Sequence, residues 1–361
     1  MTVKEVLAAL QQVTHPAKGD KSITELGLVG GIDIKGNNVE VTLEYTGRKD
    51  PLADYLAGAV RAAIQKNFPN GTTASVKSVV KEEAPRKKPE ELTDEGLAEV
   101  KHIIGVASGK GGVGKSTVAV NLAAALAGKG YKVGLADADV YGPSVPVMTG
   151  TEGQSPLVEE IPDQVGDDKR VLKQWFLPIE KYGVKWMSVG YFAQPEQALI
   201  WRGPMACSAL KQMILQVKWD QLDYLIIDMP PGTGDIHISL ARDIRMDGVI
   251  IVTTPQQVAL ADVLKGVNMF RTSGIEKNVL GLVENMAWFT PEELPQNKYY
   301  IFGKDGGVKM ARQLGLELLG QVPLVQGIRE SGDDGKPSAL KDSPDGQAFR
   351  DLADSIVRLM P

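Results

Sequence analysis

The run Ser108-Gly109-Lys110-Gly111-Gly112-Val113-Gly114-Lys115-Ser116-Thr117 constrains this chain more than any other stretch. It fits the phosphate-binding loop pattern and carries a second lysine, Lys110, inside the loop. That pattern has meaning only between a strand and a helix, and the flanks supply both. His102-Ile103-Ile104-Gly105-Val106-Ala107 reads as a buried strand, and residues 118–127 read as the helix that follows. Glycines let the backbone curl until its N–H groups point at phosphate oxygens, and the helix N-terminus adds partial positive charge there. Gly109, Lys110, Gly111, Gly112, Val113, Gly114, Lys115, Ser116 and Thr117 are therefore the expected phosphate cradle. Lys115 is expected to reach the β- and γ-phosphates of ATP, and the Ser116 hydroxyl to bind Mg²⁺.

Around this loop, short apolar strands alternate with helical stretches: residues 103–107, 132–136, 224–228, 249–253 and 279–283. The alternation predicts an α/β fold with a mostly parallel sheet flanked by helices. Ligands of such sheets bind at the carboxyl ends of the strands. Ahead of it, residues 1–80 read as a small α/β domain. Its expected elements are a helix at 3–13, strands at 30–34 and 39–43 joined by an Asn37-Asn38 turn, a helix at 52–67 and a strand at 74–77. Residues 81–96 are charged and proline-bearing without periodicity, the composition of a linker, and the nucleotide-binding domain then occupies 97–361.

Two further segments fall where the parallel sheet would place a site. Asp137-Ala138-Asp139 closes the strand at 132–136, and carboxylates there can serve a metal and an attacking water; Asp139 is the expected water-orienting group and Asp137 part of the Mg²⁺ shell. Leu225-Ile226-Ile227-Asp228 is an apolar strand ending in a carboxylate of the kind that holds Mg²⁺. Met229-Pro230-Pro231-Gly232-Thr233-Gly234-Asp235 follows it, a turn able to change conformation when the γ-phosphate leaves.

Composition narrows the partners. A net charge of −5 with no long basic run excludes an electrostatic nucleic-acid footprint. One cysteine, Cys207, excludes an intramolecular disulfide framework. No stretch is apolar enough to span a bilayer, and the N-terminus lacks a signal-peptide core, so a soluble cytoplasmic protein without stable membrane association is expected.

With Lys110 inside Gly-Lys-Gly-Gly-Val-Gly-Lys-Ser, the chain resembles the deviant Walker A ATPases, the group that includes MinD, ParA and the nitrogenase iron protein. Within that group it is similar to the Mrp/ApbC iron–sulfur carrier family. The similarity runs through residues 137–144, 201–205, 228–235, Thr254-Pro255-Gln256, Val283-Glu284-Asn285-Met286 and Arg329-Glu330-Ser331, and it covers essentially all of 97–361. Residues 1–80 resemble, more weakly, the small iron–sulfur assembly domain often fused to these ATPases. The resemblance implies a homodimer in which Lys110 reaches the partner's nucleotide, a catalytic role alongside Lys115 and Asp139. It also implies contact between Asn285 and the base, a first switch at Asp137 and Asp139, ATP and Mg²⁺ as cofactors, and apo iron–sulfur proteins or assembly factors as partners.

One feature departs from that family. Members that carry an Fe–S cluster usually place Cys-x-x-Cys just after Glu-Asn-Met, whereas this chain reads Ala287-Trp288-Phe289-Thr290-Pro291-Glu292-Glu293-Leu294. Glu292 and Glu293 are hard ligands expected to face solvent. Cys207 is expected in a helix as a small packed hydrophobe, and His15, His102 and His237 lack metal-ligand spacing. The Fe–S ligands are thus unknown. Two other classes compete: a positioning ATPase of the MinD or ParA kind, and a nucleotide-gated binding module without a cluster. Aspartates balance arginines in the amphipathic segment 348–359, which favours its packing on the domain over anionic lipid and weighs against the positioning class.

Overall fold

The structure is a computed structural model that describes residues 1–16, 21–46, 50–69, 71–81, 93–163, 171–192 and 203–361. The chain divides into two compact units, Met1–Glu90 and Glu91–Pro361. Most of the expected linker, residues 82–92, lies outside the described residues, as do Trp201 and Arg202.

In the first unit, α1 (Val3–Leu10) opens on a capping box, with Thr2 and Glu5 each accepting a backbone N–H of the other. The helix ends three residues before the expected Val13, and Val13 and His15 instead pair with the chain at residues 21–23. Strands β1 (Val29–Lys35) and β2 (Asn38–Thr46) are antiparallel, β2 and β3 (Thr73–Lys81) are parallel, and α2 (Ala53–Asn67) makes the crossover. Alternate β2 residues Val39, Val41 and Leu43 meet Leu56, Val60 and Ile64 of α2 and Val6 and Leu10 of α1 in one buried core.

The second unit runs β4 (Val100–Ala107), α3 (Lys115–Gly128), β5 (Val133–Asp137), α4 (Val145–Thr149), β6 (Leu157–Asp163), β7 (Val171–Leu177), β8 (Ile179–Lys181) and β9 (Val184–Ser188). It continues through α5 (Gly203–Leu215), β10 (Leu222–Asp228), α6 (Asp235–Asp243), β11 (Gly248–Thr253), α7 (Gln257–Arg271) and β12 (Val279–Phe289). It closes with α8 (Gly306–Leu314), β13 (Glu317–Leu324), α9 (Gln326–Asp333) and α10 (Pro344–Leu359). Eight strands form one sheet in the order β13-β12-β11-β4-β10-β5-β9-β8, parallel throughout except for the β8–β9 pair. β6 and β7 form a separate antiparallel ribbon.

Alternation along β4 splits the core between the two faces of the sheet. Ile103 and Ala107 pack with residues of α5, α6 and α7, while Ile104 and Val106 pack with α3 and α10. Both faces are covered, which is why these strands read as nearly continuous apolar runs. The amphipathic segment near the C-terminus is α10; Phe349, Leu352, Ala353 and Ile356 are fully buried against the domain, so its apolar face is occupied by protein. No helix among the described residues is long and apolar enough to cross a membrane.

Candidate functional site

Parallel register brings three chain segments to one point. Asp228, the last residue of β10, stands beside Asp137 of β5 on one side and Val106 of β4 on the other. The phosphate loop, the Asp137-Ala138-Asp139 segment and the Pro-Pro-Gly-Thr-Gly turn therefore leave the sheet from neighbouring strands, at their carboxyl ends.

The loop between β4 and α3 is shaped by glycine where nothing else fits. Gly112 and Gly114 have φ of +80° and +79°, in the region L side chains rarely adopt. A Cβ on Gly114 would also lie 2.1 Å from Nδ2 of Asn285, whose amide donates to the Val113 carbonyl at 2.8 Å. A Cβ on Gly109 would lie 2.3 Å from the Asp262 carbonyl of α7. The loop is tied down further by Ser108, whose hydroxyl donates to the Lys110 carbonyl at 2.9 Å and whose own carbonyl accepts the Gly232 N–H at 2.9 Å.

Inside this frame Lys115 is buried, with Nζ 2.6 Å from Oδ1 of Asp228, 3.2 Å from the Ser116 hydroxyl and 3.7 Å from Oδ2 of Asp139. Asp228 is fully buried, and its Oδ2 has no hydrogen-bond partner. Asp137 is also fully buried; its carboxylate accepts from Ser188 Oγ at 2.8 Å, from the Asp139 N–H at 3.1 Å and from the Val145 N–H at 3.4 Å. Asp139 accepts the Tyr141 N–H at 3.2 Å. Burial, then the nearby charge of Asp228, pushes the Asp137 carboxyl up to about 7, and burial raises that of Asp228 as well. Two carboxylates pair with one ammonium and a third lies buried beside them, which leaves the site short of positive charge. An unpartnered buried carboxylate oxygen with a hydroxyl at hand is the donor set a hard cation takes.

Lys110, by contrast, is exposed on the surface of the loop. Asn285 lies at the edge of a cleft of about 570 Å³ whose walls include Gly114, Thr117, Pro143, Met148, Pro323 and Ile328. Of this far wall, which comes from β13 and α9, the sequence pattern singled out only Arg329; Pro323, Leu324 and Ile328 are ordinary apolar side chains that only the fold brings to the phosphate loop. Ser188, which fixes Asp137 from β9, carried no sequence signal either.

The family model described as NUBPL iron-transfer P-loop NTPase matches residues 99–357, and that described as iron–sulfur cluster assembly protein matches residues 4–77. The chain belongs to the NUBPL iron-transfer P-loop NTPase family. It is 42% identical over 360 residues to the iron–sulfur cluster carrier protein of Synechocystis, covering 99% of this chain and 97% of that one. It is 41% identical over 380 residues to the carrier protein of Aquifex aeolicus, covering 100% and 99%. Among solved structures, the nucleotide-binding protein of Archaeoglobus fulgidus in complex with ADP superposes with a TM-score of 0.58 at 33% identity, over 72% of this chain and 97% of that one. The cell division ATPase MinD of Pyrococcus furiosus superposes with a TM-score of 0.50 at 21% identity, over 72% and 99%, a likeness of fold.

Beyond the phosphate site, the side chains weighed as cluster ligands lie apart from one another. Cys207 is half-buried in α5 and packs against the core on that face of the sheet. Glu292 and Glu293 are exposed. Among the described residues, no three His, Cys, Asp or Glu side chains converge as a metal-binding group.

Proposed function

We propose that the chain is a Mg²⁺-dependent ATPase of iron–sulfur cluster assembly. In this reading it works as a cytoplasmic homodimer that brings clusters to apoproteins or gates their transfer. Residues 97–361 form the ATPase, and residues 1–80 a small assembly domain joined through a linker at 81–96. The observation that carries this reading is the buried Lys115, held by Asp228 and Asp139 at the root of a glycine-rich loop.

Ser116, Asp228 and Asp137 would hold Mg²⁺, which when bound draws charge from the β- and γ-phosphate oxygens. The chain's own groups do the rest. Lys115 already lies in the loop that cradles phosphate, where incoming anionic oxygens compete with Asp228 for its ammonium. Backbone N–H groups of residues 109–117 supply further donors without reorganising. Asp139, at 3.7 Å from Lys115, is loosely paired and is assigned to orienting the attacking water. Lys110 is exposed and so able to reach across to a second copy's nucleotide, where a cation stabilises charge on the transferred phosphoryl group. Asn285 borders the cleft assigned to the base.

The cluster is cargo in this reading, and the ligand count sets its terms. Two copies of Cys207 supply at most two thiolates, whereas Fe–S clusters take four ligands. The remaining ligands are assigned to a client, an assembly factor or a small thiol. Anaerobic reconstitution with iron and sulfide, followed by desalting and iron analysis, tests this. Iron well below one cluster per dimer, restored by adding a thiol or a cysteine-bearing partner, is the expected outcome. A stable cluster at one per dimer that survives both desalting and Cys207→Ala overturns the ligand assignment.

A further inference from the structure

The loop at residues 229–234, between β10 and α6, is held at two points. Met229 N–H donates to the Val106 carbonyl at 3.0 Å, and Gly232 N–H to the Ser108 carbonyl at 2.9 Å. Pro230 and Pro231 between them have no N–H to give, and Gly232, at φ +90°, takes a backbone conformation that residues with a side chain rarely adopt. Eight buried side-chain polar atoms among the described residues lack a hydrogen-bond partner, and three of them border this one loop. Asp228 Oδ2 precedes it and faces the proposed cation site. Nδ1 and Nε2 of His237 follow it, and no cation explains them.

His237 is the third residue of α6, is 2% exposed, and packs its ring against Phe270 of α7 with centroids 5.6 Å apart. Burial and the charge of Lys115 pull its pKa down to about 4, so the imidazole is neutral near pH 7, with one nitrogen a donor and the other an acceptor. The Pro230 backbone already acts on it as a hydrogen-bond acceptor and pulls weakly against the downward shift, but neither ring nitrogen has a partner of full hydrogen-bond geometry. Buried donors left open are rare in folded proteins and costly, and a small shift of residues 229–234 is all that would satisfy this one.

We propose that His237 is a positioning residue for ATP hydrolysis: its N–H takes the Pro230 carbonyl in a second arrangement of residues 229–234 that nucleotide selects. In the arrangement described here the Gly232 amide is tied to Ser108 at the root of the phosphate loop. Exchanging that bond for the Pro230–His237 bond frees the Gly232 N–H to face the nucleotide. Fixed φ angles at Pro230 and Pro231 carry the displacement at one end of the loop to the other. Phe270 keeps the imidazole in place.

This inference rests on the ATPase reading above, and wild-type Mg²⁺·ATP turnover in the same assay tests that reading separately. His237→Phe keeps the ring volume and removes both polar nitrogens; His237→Gln keeps a donor and an acceptor. For His237→Phe we expect a melting temperature without nucleotide equal to or above wild type, ATP affinity within about twofold, and turnover lowered about tenfold. ATP should slow amide exchange at residues 232–236 in wild type and His237→Gln but not in His237→Phe. His237→Gln should keep more than half of wild-type turnover. Turnover and ATP-dependent protection in His237→Phe equal to wild type overturn the proposal. So does a His237→Gln variant as impaired as His237→Phe, or a His237→Phe that melts well below wild type, since either makes His237 a packing residue only. Where wild type shows no turnover, the melting and exchange measurements still decide between the latch and simple packing.

Discussion

At the amino ends of the parallel strands a cleft of about 800 Å³ is lined by Lys132, Glu180, Lys181, Lys185 and Asp220, among others. At the carboxyl ends, the cleft beside the phosphate loop measures about 570 Å³. In the larger cleft the polar side chains are either paired or exposed to solvent. Lys185 donates to Asp220 at 2.6 Å and to the Trp219 carbonyl at 2.9 Å, Lys181 donates to the Gly150 carbonyl at 2.8 Å, and the Tyr182 hydroxyl donates to the Gly335 carbonyl at 2.9 Å. At the carboxyl ends, two buried aspartates share one lysine beside a third buried aspartate, Asp137, and Asp228 and His237 hold unpartnered polar atoms. Unspent polar capacity, rather than volume, distinguishes a surface that can do chemistry from one that only has room.

The sharpest way to break that contrast is to remove one lysine from each end. Lys115→Ala should weaken ATP binding by about 2–5 kcal/mol, which calorimetry would read as a loss of one and a half to more than three decades in affinity. Lys185→Ala should leave ATP affinity within about twofold and cost at most about 1 kcal/mol of stability, because its partner Asp220 is 54% exposed. Equal effects of the two substitutions would dissolve the distinction.

Lys110 sharpens it further, since an exposed lysine on the phosphate loop has a role only if a second copy supplies what it meets. Lys110→Ala should keep ATP affinity and lose about 100-fold in turnover. Mixing it with Asp139→Ala should restore part of the activity through one intact composite site. Full turnover from a strictly monomeric protein at saturating ATP would remove the trans role.

The smallest effect is in pH. The folded-state pKa of Asp137, about 7, and the raised pKa of Asp228 lie above the unfolded value near 4. Between those limits the folded chain binds more protons than the unfolded chain, so stability is present at low pH and falls as pH rises toward 7. Without nucleotide the melting temperature should be higher at pH 5.5 than at pH 8, by about 2–4 °C for each kcal/mol lost. Asp137→Asn should flatten the profile, and Mg²⁺·ATP should do the same by supplying the missing positive charge. Variants at the amino ends should leave the slope unchanged.

Legibility in the sequence follows the same division. The central strands announced themselves because burial on both faces makes them apolar throughout: β4, β5, β10 and β11 begin or end within a few residues of the expected spans. β12 runs six residues past its expected end at Val283, since Asn285 and Phe289 still pair with β13 on either side of an irregularity. β13 itself gave no signal. Glu317-Leu318-Leu319-Gly320-Gln321-Val322-Pro323-Leu324 is a half-exposed edge strand broken by glycine and proline, and neither periodicity survives that composition. The phosphate loop and its aspartates were legible because spacing along the chain encodes them. His237 was not, because its burial depends on Phe270, thirty-odd residues away, and its missing hydrogen bonds are a property of geometry alone.

The contact between Gly114 and Asn285 bears on how such a loop can change over generations. The Asn285 amide fills the volume that the first side-chain carbon of any other residue at 114 would need, and the backbone there is left-handed as well. A substitution at 114 thus meets two independent obstacles, and shortening Asn285 lifts only one of them while releasing the Val113 carbonyl. Every single-step route away from this pair passes through a damaged intermediate. The two positions are coupled by epistasis, so neutral drift by single substitutions has no downhill path out of the present loop.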